Sequence, residues 1–294
     1  MEIIKEKLNN IDLSRIVIYS LLILLAVVII VPVAWVFMAS VKENVEFYGN
    51  PWSLPDGFHF QNFIDAVQKA NMGKYFINSI VVTGFGLAIL IAVSVPASYV
   101  LARFKFRGKK ILNTIFMVGL FINVNYIVVP IFLLLLDLDQ YIYKLLGYNF
   151  FLDNLFVLAV VYAAKAIPFT VYLLSNFFKT LAKSYEEAAY IDGAGYFRTM
   201  VSIMVPMAKP SIITVILFNF LAFWNEYIIA LTLMPGKDKT LPVGLINLMQ
   251  AQRAAANYGQ LYAGLVIVML PTLILYILVQ KKLTKGMSIG GIKG

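Results

Sequence analysis

Six stretches of this chain are apolar over lengths that a lipid interior would bury: residues 16–39, 76–101, 111–136, 155–178, 211–233 and 261–279. A helix needs about 20 apolar residues to cross the roughly 30 Å hydrocarbon layer, and each stretch meets that demand. With 61% hydrophobic and 13% charged residues among 294, the chain carries more apolar surface than a soluble core of its size can hide. Runs such as LLILLAVVIIVPVAWVF are apolar on every side, whereas the strands of a transmembrane barrel alternate apolar and polar residues. The expected fold is all-α, a polytopic membrane protein with six transmembrane helices.

Basic residues orient the bundle. With the N-terminus inside, 16 of the 24 Lys and Arg fall on the inner side: Lys5, Lys7, Arg15, Arg103, Lys105, Arg107, Lys109, Lys110, Lys179, Lys183, Arg198, Lys209, Lys281, Lys282, Lys285 and Lys293. The positive-inside rule then puts both termini in the cytoplasm. Acidic Glu43, Glu46, Asp56, Asp65, Asp137, Asp139 and Asp238 are expected in outer loops. The net charge of +9 is thus a topology signal. Its basic residues sit at span ends rather than on one stripe, which argues against nucleic-acid binding. The first apolar run is too long for a cleavable signal and has no small-residue cleavage site after it, so it reads as an anchor. Without cysteine there are no disulfides, thiolate metal sites or cysteine nucleophiles. The lone His59, in the first outer loop, reads as a solvated residue rather than a ligand or base.

Along the chain, residues 1–15 form a cytoplasmic N-terminal segment, either lying on the inner membrane surface or frayed. Residues 16–282 form one six-span membrane domain with a cytoplasmic loop at 180–210, and residues 283–294 a cytoplasmic tail. The first outer loop pairs the turn-rich NPWSLPDG with FQNFIDAVQKA, which has the spacing of a short amphipathic helix. The segment LPVGLINLMQAQ is expected to form another short helix outside, and residues 103–110 a tight, basic inner hairpin. No internal repeat is evident.

The loop at 180–210 is a small-residue-rich polar island in a chain otherwise built for lipid. Glu186 and Glu187 follow Ser184, as suits the positive N-terminal end of a helix, and Ala188 and Ala189 keep that helix thin. Gly193 and Gly195 break it, and Pro206 and Pro210 bracket the return into the fifth span. Such a helix suits a groove on another protein, although by itself it also reads as an ordinary loop helix on the membrane surface.

The spacing Glu187-Ala188-Ala189, three residues, Gly193, nine residues, Ile203-Met204-Val205-Pro206 resembles the EAA signature of ABC importer permeases, with Val205 in place of the usual Leu. EEAAYIDGAG, FWNEY at 223–227, TLPVGL at 240–245 and the final KGMSIGGIKG are similar to the carbohydrate importers of the maltose type, in particular their smaller, six-span permease subunit. The resemblance covers most of the chain from the second span onward. It implies a type I ABC importer permease of a bacterial or archaeal cell (inner) membrane, whose EAA segment is a coupling helix held in a groove of a cytoplasmic ATPase. The implied coupling residues are Glu186, Glu187, Ala188, Ala189, Asp192, Gly193, Ala194, Gly195 and Pro206. Glu187 would make a charged contact, Ala188 and Ala189 would pack closely, and Gly193 would give the turn. The tail is similar to one that reaches the ATPase interface in some members. The implied partners are a second permease subunit in a heterodimer, an ATPase dimer and an extracytoplasmic solute-binding protein. The chain has no GxxxxGK[ST] phosphate loop, so ATP and Mg would reside on the separate ATPase, with no cofactor on this chain and no enzymatic role for it.

Polar residues inside spans are expensive and tend to face a bundle interior, a partner or a water-filled path. Asn78, Asn123, Asn125, Tyr126, Tyr162, Lys165, Asn219, Asn225 and Glu226 are the candidates for a substrate path. Amides donate and accept, and aromatic rings stack on sugar faces, so the set suits neutral hydroxyl-rich ligands. Individually, each also reads as interhelical glue. Lys165 and Glu226 fall at similar depths, roughly 15 and 10 Å below the outer boundary at 1.5 Å per residue, and are expected to set helix packing or gate the outer cavity as a pair. The alternatives are a snorkelling Lys165 and a Glu226 turned to the partner permease. A permease for another solute such as glycerol phosphate is the near competitor, but only Lys165 offers positive charge within a span. An ion-coupled secondary carrier fits poorly with six spans, no repeat and an EAA-like loop. An intramembrane enzyme fits worse, without HExxH, paired carboxylates or a Ser/His arrangement.

Overall fold

The computed structural model describes residues 13–255 and 257–291. Most of the N-terminal segment 1–15 and the end of the tail lie outside the described residues. The described elements are all helical: α1 (Leu13–Ala39), α2 (Asn44–Gly49), α3 (Gln61–Gln68), α4 (Met72–Arg103), α5 (Lys109–Gly119), α6 (Val124–Leu146), α7 (Leu155–Thr180), α8 (Ser184–Ile191), α9 (Tyr196–Thr199), α10 (Val205–Met207), α11 (Lys209–Trp224), α12 (Ile228–Leu233), α13 (Leu241–Ala255) and α14 (Tyr258–Gly291). A π-helical turn, Met200–Met204, joins α9 to α10. Among the described residues, five helices are long and apolar enough to cross a membrane, and a bent pair makes up to six.

The chain divides into two compact units. One holds the described residues up to Ala70 with Leu248–Ile267. Its α1 is apolar all round, and none of its most apolar window is buried within the chain, so its solvent must be lipid or another subunit. The loop after α1 is pinned by polar contacts. Lys42, fully buried, donates to the Pro51 carbonyl (3.0 Å) and the Ser53 hydroxyl (3.2 Å), and Asn62 donates to the Ser40 (3.0 Å) and Lys42 (2.8 Å) carbonyls. His59 Nε2 lies 2.9 Å from Glu43 Oε1 at the surface. The expected amphipathic outer helix is α3.

The second unit comprises Asn71–Asn247 with the residues from Val268 on. Its central pairing is α4 against α7. Small residues permit the approach: a Cβ on Gly86 would meet the Phe223 ring at 3.2 Å and the Ala159 carbonyl at 3.3 Å. One hydrophobic cluster is built from Val82, Leu90, Val128, Tyr162, Phe223 and Ile229 among others. A second joins Tyr99, Leu174 and Phe178 to Met200, Met204 and Ile212.

Two expected spans are not single helices. The third, read as 111–136, is α5 and α6 separated by a turn, because the Asn123 side chain accepts the Asn125 N–H at 2.9 Å and starts a new helix there. That second helix runs on to Leu146, so Asp137 and Asp139 lie within it rather than in an outer loop. Asp139 is buried, and its carboxylate accepts the backbone N–H of Phe150 (2.6 Å), Phe151 (2.7 Å) and Leu152 (2.8 Å). The fifth, read as 211–233, stops at Trp224 and restarts at Ile228. Before it, the chain turns through 74° between Tyr196–Met207 and Lys209–Trp224, with Pro206 and Pro210 on either side of the corner.

Candidate functional site

The polar loop forms the helix its composition implies, and its ending explains the motif's spacing. α8 stops at Ile191, with Asp192 as its cap and Gly193 at φ +78°. The Gly193 N–H donates to the Tyr190 carbonyl (3.1 Å), and the Ala194 N–H reaches back to the Ala189 carbonyl (2.9 Å), which together make a Schellman motif. An Ala followed four residues later by Gly is therefore the distance from the third-last helical residue to the left-handed position that closes the helix. Gly195 is extended at φ −71°, ψ 166° and begins α9.

The two glutamates part company. Glu187, Ala188, Asp192, Gly193, Gly195 and Pro206 are exposed, Ala194 is half-buried, and Ala189 is buried. Glu186, assigned to the partner-facing set from sequence, is instead buried and turned inward. Its Oε1 accepts the Tyr99 hydroxyl at 2.8 Å, and its Oε2 lies 3.2 Å from Arg103 Nε. Arg103 Nη2 also donates to the Leu181 carbonyl at 2.7 Å, tying the last turn of α4 to the end of α7. One residue along a helix is a rotation of about 100°, enough to send adjacent carboxylates to opposite faces. Tyr99 and Arg103 carry no motif and escape a reading by motif, yet their i, i+4 spacing sets them on one face of α4. Burial, and after it the charge of Glu186, hold the Tyr190 phenol above its usual range. Around the exposed motif residues lie Ile191 (87% exposed), Phe197 (75%) and Tyr196 (64%), an apolar surface beside the free carboxylate of Glu187.

The candidate path residues fall into two groups. Asn78, Tyr162 and Asn219 are buried and engaged. Asn78 donates to the Lys239 carbonyl (3.0 Å), Asn219 to the Thr170 hydroxyl (3.1 Å) and the Val215 carbonyl (2.7 Å), and the Tyr162 hydroxyl to the Glu226 carbonyl (3.3 Å). Their side chains line no open face of this subunit. Asn123, Asn125, Tyr126, Lys165 and Asn225 are exposed, and Glu226 is half-buried. Asn225 closes α11, its amide donating to the Leu221 carbonyl at 2.8 Å. Glu226 uses both carboxylate oxygens: Oε1 accepts the N–H of Ile228 (2.8 Å) and Ile229 (3.1 Å), starting α12, and Oε2 accepts from Lys165 Nζ at 2.9 Å. Val124 and Ile228, the first residues after the two helix breaks, pack against the same cluster as Tyr162 and Phe223. Both interrupted helices therefore border one core.

Residues 84–288 match the family described as binding-protein-dependent transport system inner membrane component. The chain is 36% identical over 274 residues to the diacetylchitobiose uptake system permease protein NgcG of Streptomyces coelicolor, covering 92% of this chain and 87% of that one. To the trehalose/maltose transport system permease protein MalG of Thermococcus litoralis it is 27% identical over 285 residues, 96% of this chain and 98% of that one. Among solved structures, a chain of a bacterial ABC transporter involved in the import of the acidic polysaccharide alginate matches with a TM-score of 0.75 and 25% identity, covering 92% of this chain and 96% of that chain. This chain belongs to the binding-protein-dependent transport system inner membrane components, and is a multi-pass permease subunit of an ABC importer rather than an enzyme.

Proposed function

We propose that this subunit forms, with a second permease, the translocation path for a neutral oligosaccharide, driven through α8 by a separate ATPase dimer that binds ATP and Mg. An extracytoplasmic binding protein delivers the sugar. One observation carries the substrate class: the only lysine exposed within the candidate path, Lys165, is neutralised by Glu226 at 2.9 Å. The other exposed candidates are the amides of Asn123, Asn125 and Asn225 and the ring of Tyr126, which is 81% exposed. Amide and aromatic surfaces without net charge suit hydroxyl-rich rings better than a phosphate ester or an acidic chain. The relatives named for diacetylchitobiose and trehalose/maltose uptake support the same class.

At the cytoplasmic loop, exposed Glu187 and Ala188, with the apolar Ile191 and Phe197 beside them, are the contact to the ATPase. Reconstitution of the full importer in proteoliposomes tests the reading. Binding protein loaded with a neutral oligosaccharide is expected to stimulate ATP hydrolysis and sugar entry. Stimulation by glycerol phosphate alone, or solute flux under an ion gradient without ATP, sinks it.

A further inference from the structure

The buried Glu186 carboxylate faces away from the surface on which an ATPase would dock, so the contact role that the resemblance implies for it does not fit its position. It is held at two points by α4, one of which ties in a third segment. Tyr99 and Arg103 come from the last turns of α4; Arg103 in turn grips the Leu181 carbonyl at the end of α7; and Glu186 itself stands in the first turn of α8. A run of aromatic ring contacts leads from Tyr99 back to α8. Tyr99 meets Phe178 edge-on at 5.7 Å and Phe104 at 5.8 Å, Phe104 meets Tyr196 at 5.4 Å, and Tyr196 meets Tyr190 at 5.3 Å. The Arg103 and Glu186 side chains are 7% and 10% exposed. A charge pair so shielded from water holds its geometry far more firmly than a surface ion pair.

We propose that Glu186 is a positioning residue: through Tyr99 and Arg103 it locks α8 to the end of α4, so that displacement of α8 moves that membrane-spanning helix as one body. The proposal rests on the importer reading above and assigns to Glu186 transmission, leaving docking to Glu187 and its neighbours. The alternative path, through the chain itself, is weak by comparison, since between α8 and α11 lie an extended glycine, a π-helical turn and a 74° corner.

The chain has no cysteine, so spin labels on cysteines introduced for exposed Tyr185 in α8 and Val100 in α4 report on this link alone. In the assembled complex, with and without ATP, the parent is expected to keep one narrow Tyr185–Val100 label distance. In Glu186→Gln that distribution broadens, the ATPase subunits still co-purify, and transport per ATP hydrolysed falls by about tenfold or more. Tyr99→Phe, which keeps the ion pair, shows the same changes to a smaller degree and decides the matter if Glu186→Gln fails to accumulate. Glu187→Gln instead loses ATPase subunits while leaving the distance narrow. Loss of the ATPase from Glu186→Gln with the distance still narrow, or an unbroadened distance with full coupling, overturns the proposal. A parent complex with a narrow distance that transports no sugar faults the importer reading and not the link.

Discussion

Lys165 and Glu226, 61 residues apart in sequence, meet at 2.9 Å, and the same carboxylate starts helix α12 through its other oxygen. The pair is asymmetric: the lysine side chain is 36% exposed and the glutamate 9%. Removing the ammonium leaves a carboxylate with little access to water, whereas removing the carboxylate's charge leaves an ammonium that reaches solvent. Lys165→Met is therefore expected to destabilise by about 2–3 kcal/mol, below the range for a fully buried pair because the lysine is partly solvated. Glu226→Gln, which keeps an oxygen for Ile228 and Ile229, should cost about 1 kcal/mol. Thermal unfolding in detergent compares the two; equal costs would contradict the asymmetry.

Gly193 and Gly195 should answer differently to alanine. Neither has an atom within 4 Å of a built Cβ, so space is not at issue, but Gly193 alone has a positive φ, +78°. Gly193→Ala is expected to cost about 1 kcal/mol of loop stability and to weaken recovery of the ATPase, while Gly195→Ala is close to neutral. Co-purification of the ATPase subunits with each variant checks this.

Asp139 holds the turn after α6 by accepting backbone N–H groups from Phe150, Phe151 and Leu152. Asp139→Ala strands these donors and is expected to destabilise by about 3 kcal/mol or more. Asp139→Asn, with one carbonyl oxygen left, falls between. Hydrogen exchange at residues 150–152 is expected to rise in both, and unchanged protection would refute the assignment.

Gly86 sits where α4, α7 and α11 come together, 3.2–3.3 Å from its neighbours once a Cβ is added. Gly86→Ala should cost about 1–3 kcal/mol by overpacking, and Gly86→Leu should prevent assembly of the unit. Yield of monodisperse protein after detergent extraction reads both.

The lipid-crossing helices α1, α4, α7 and α14 were legible because hydropathy reports what a segment must hide, and their runs hide nothing else. Hydropathy does not report where the backbone ladder stops. At Asn123 and Glu226 a polar side chain supplies the acceptor that begins a new helix inside an otherwise apolar run, so both breaks read as continuous spans. Asp139 misled in the opposite sense: a carboxylate past the end of an apolar run reads as loop, yet here it is buried to satisfy the next loop's own N–H groups. The α8 loop was legible in outline from Ala189, Gly193 and the paired glutamates. Which glutamate faced inward was not, because it depends on Tyr99 and Arg103, more than 80 residues earlier, meeting the helix on one side.

The first helix has a consequence for how the protein is made. None of the most apolar window of α1 is buried among the described residues, so lipid alone can hide that stretch from water. A helix satisfies the backbone hydrogen bonds of its interior by itself, so such a stretch needs no partner strand or helix to enter the bilayer. The later helices differ: α7, with 44% of its window buried, finishes folding only once α4 lies beside it. That stretch of α1 thus enters the bilayer without waiting for a neighbour, whereas its far end, where Trp35 packs on Trp52 and Tyr262 and Ala39 is buried, is finished only later.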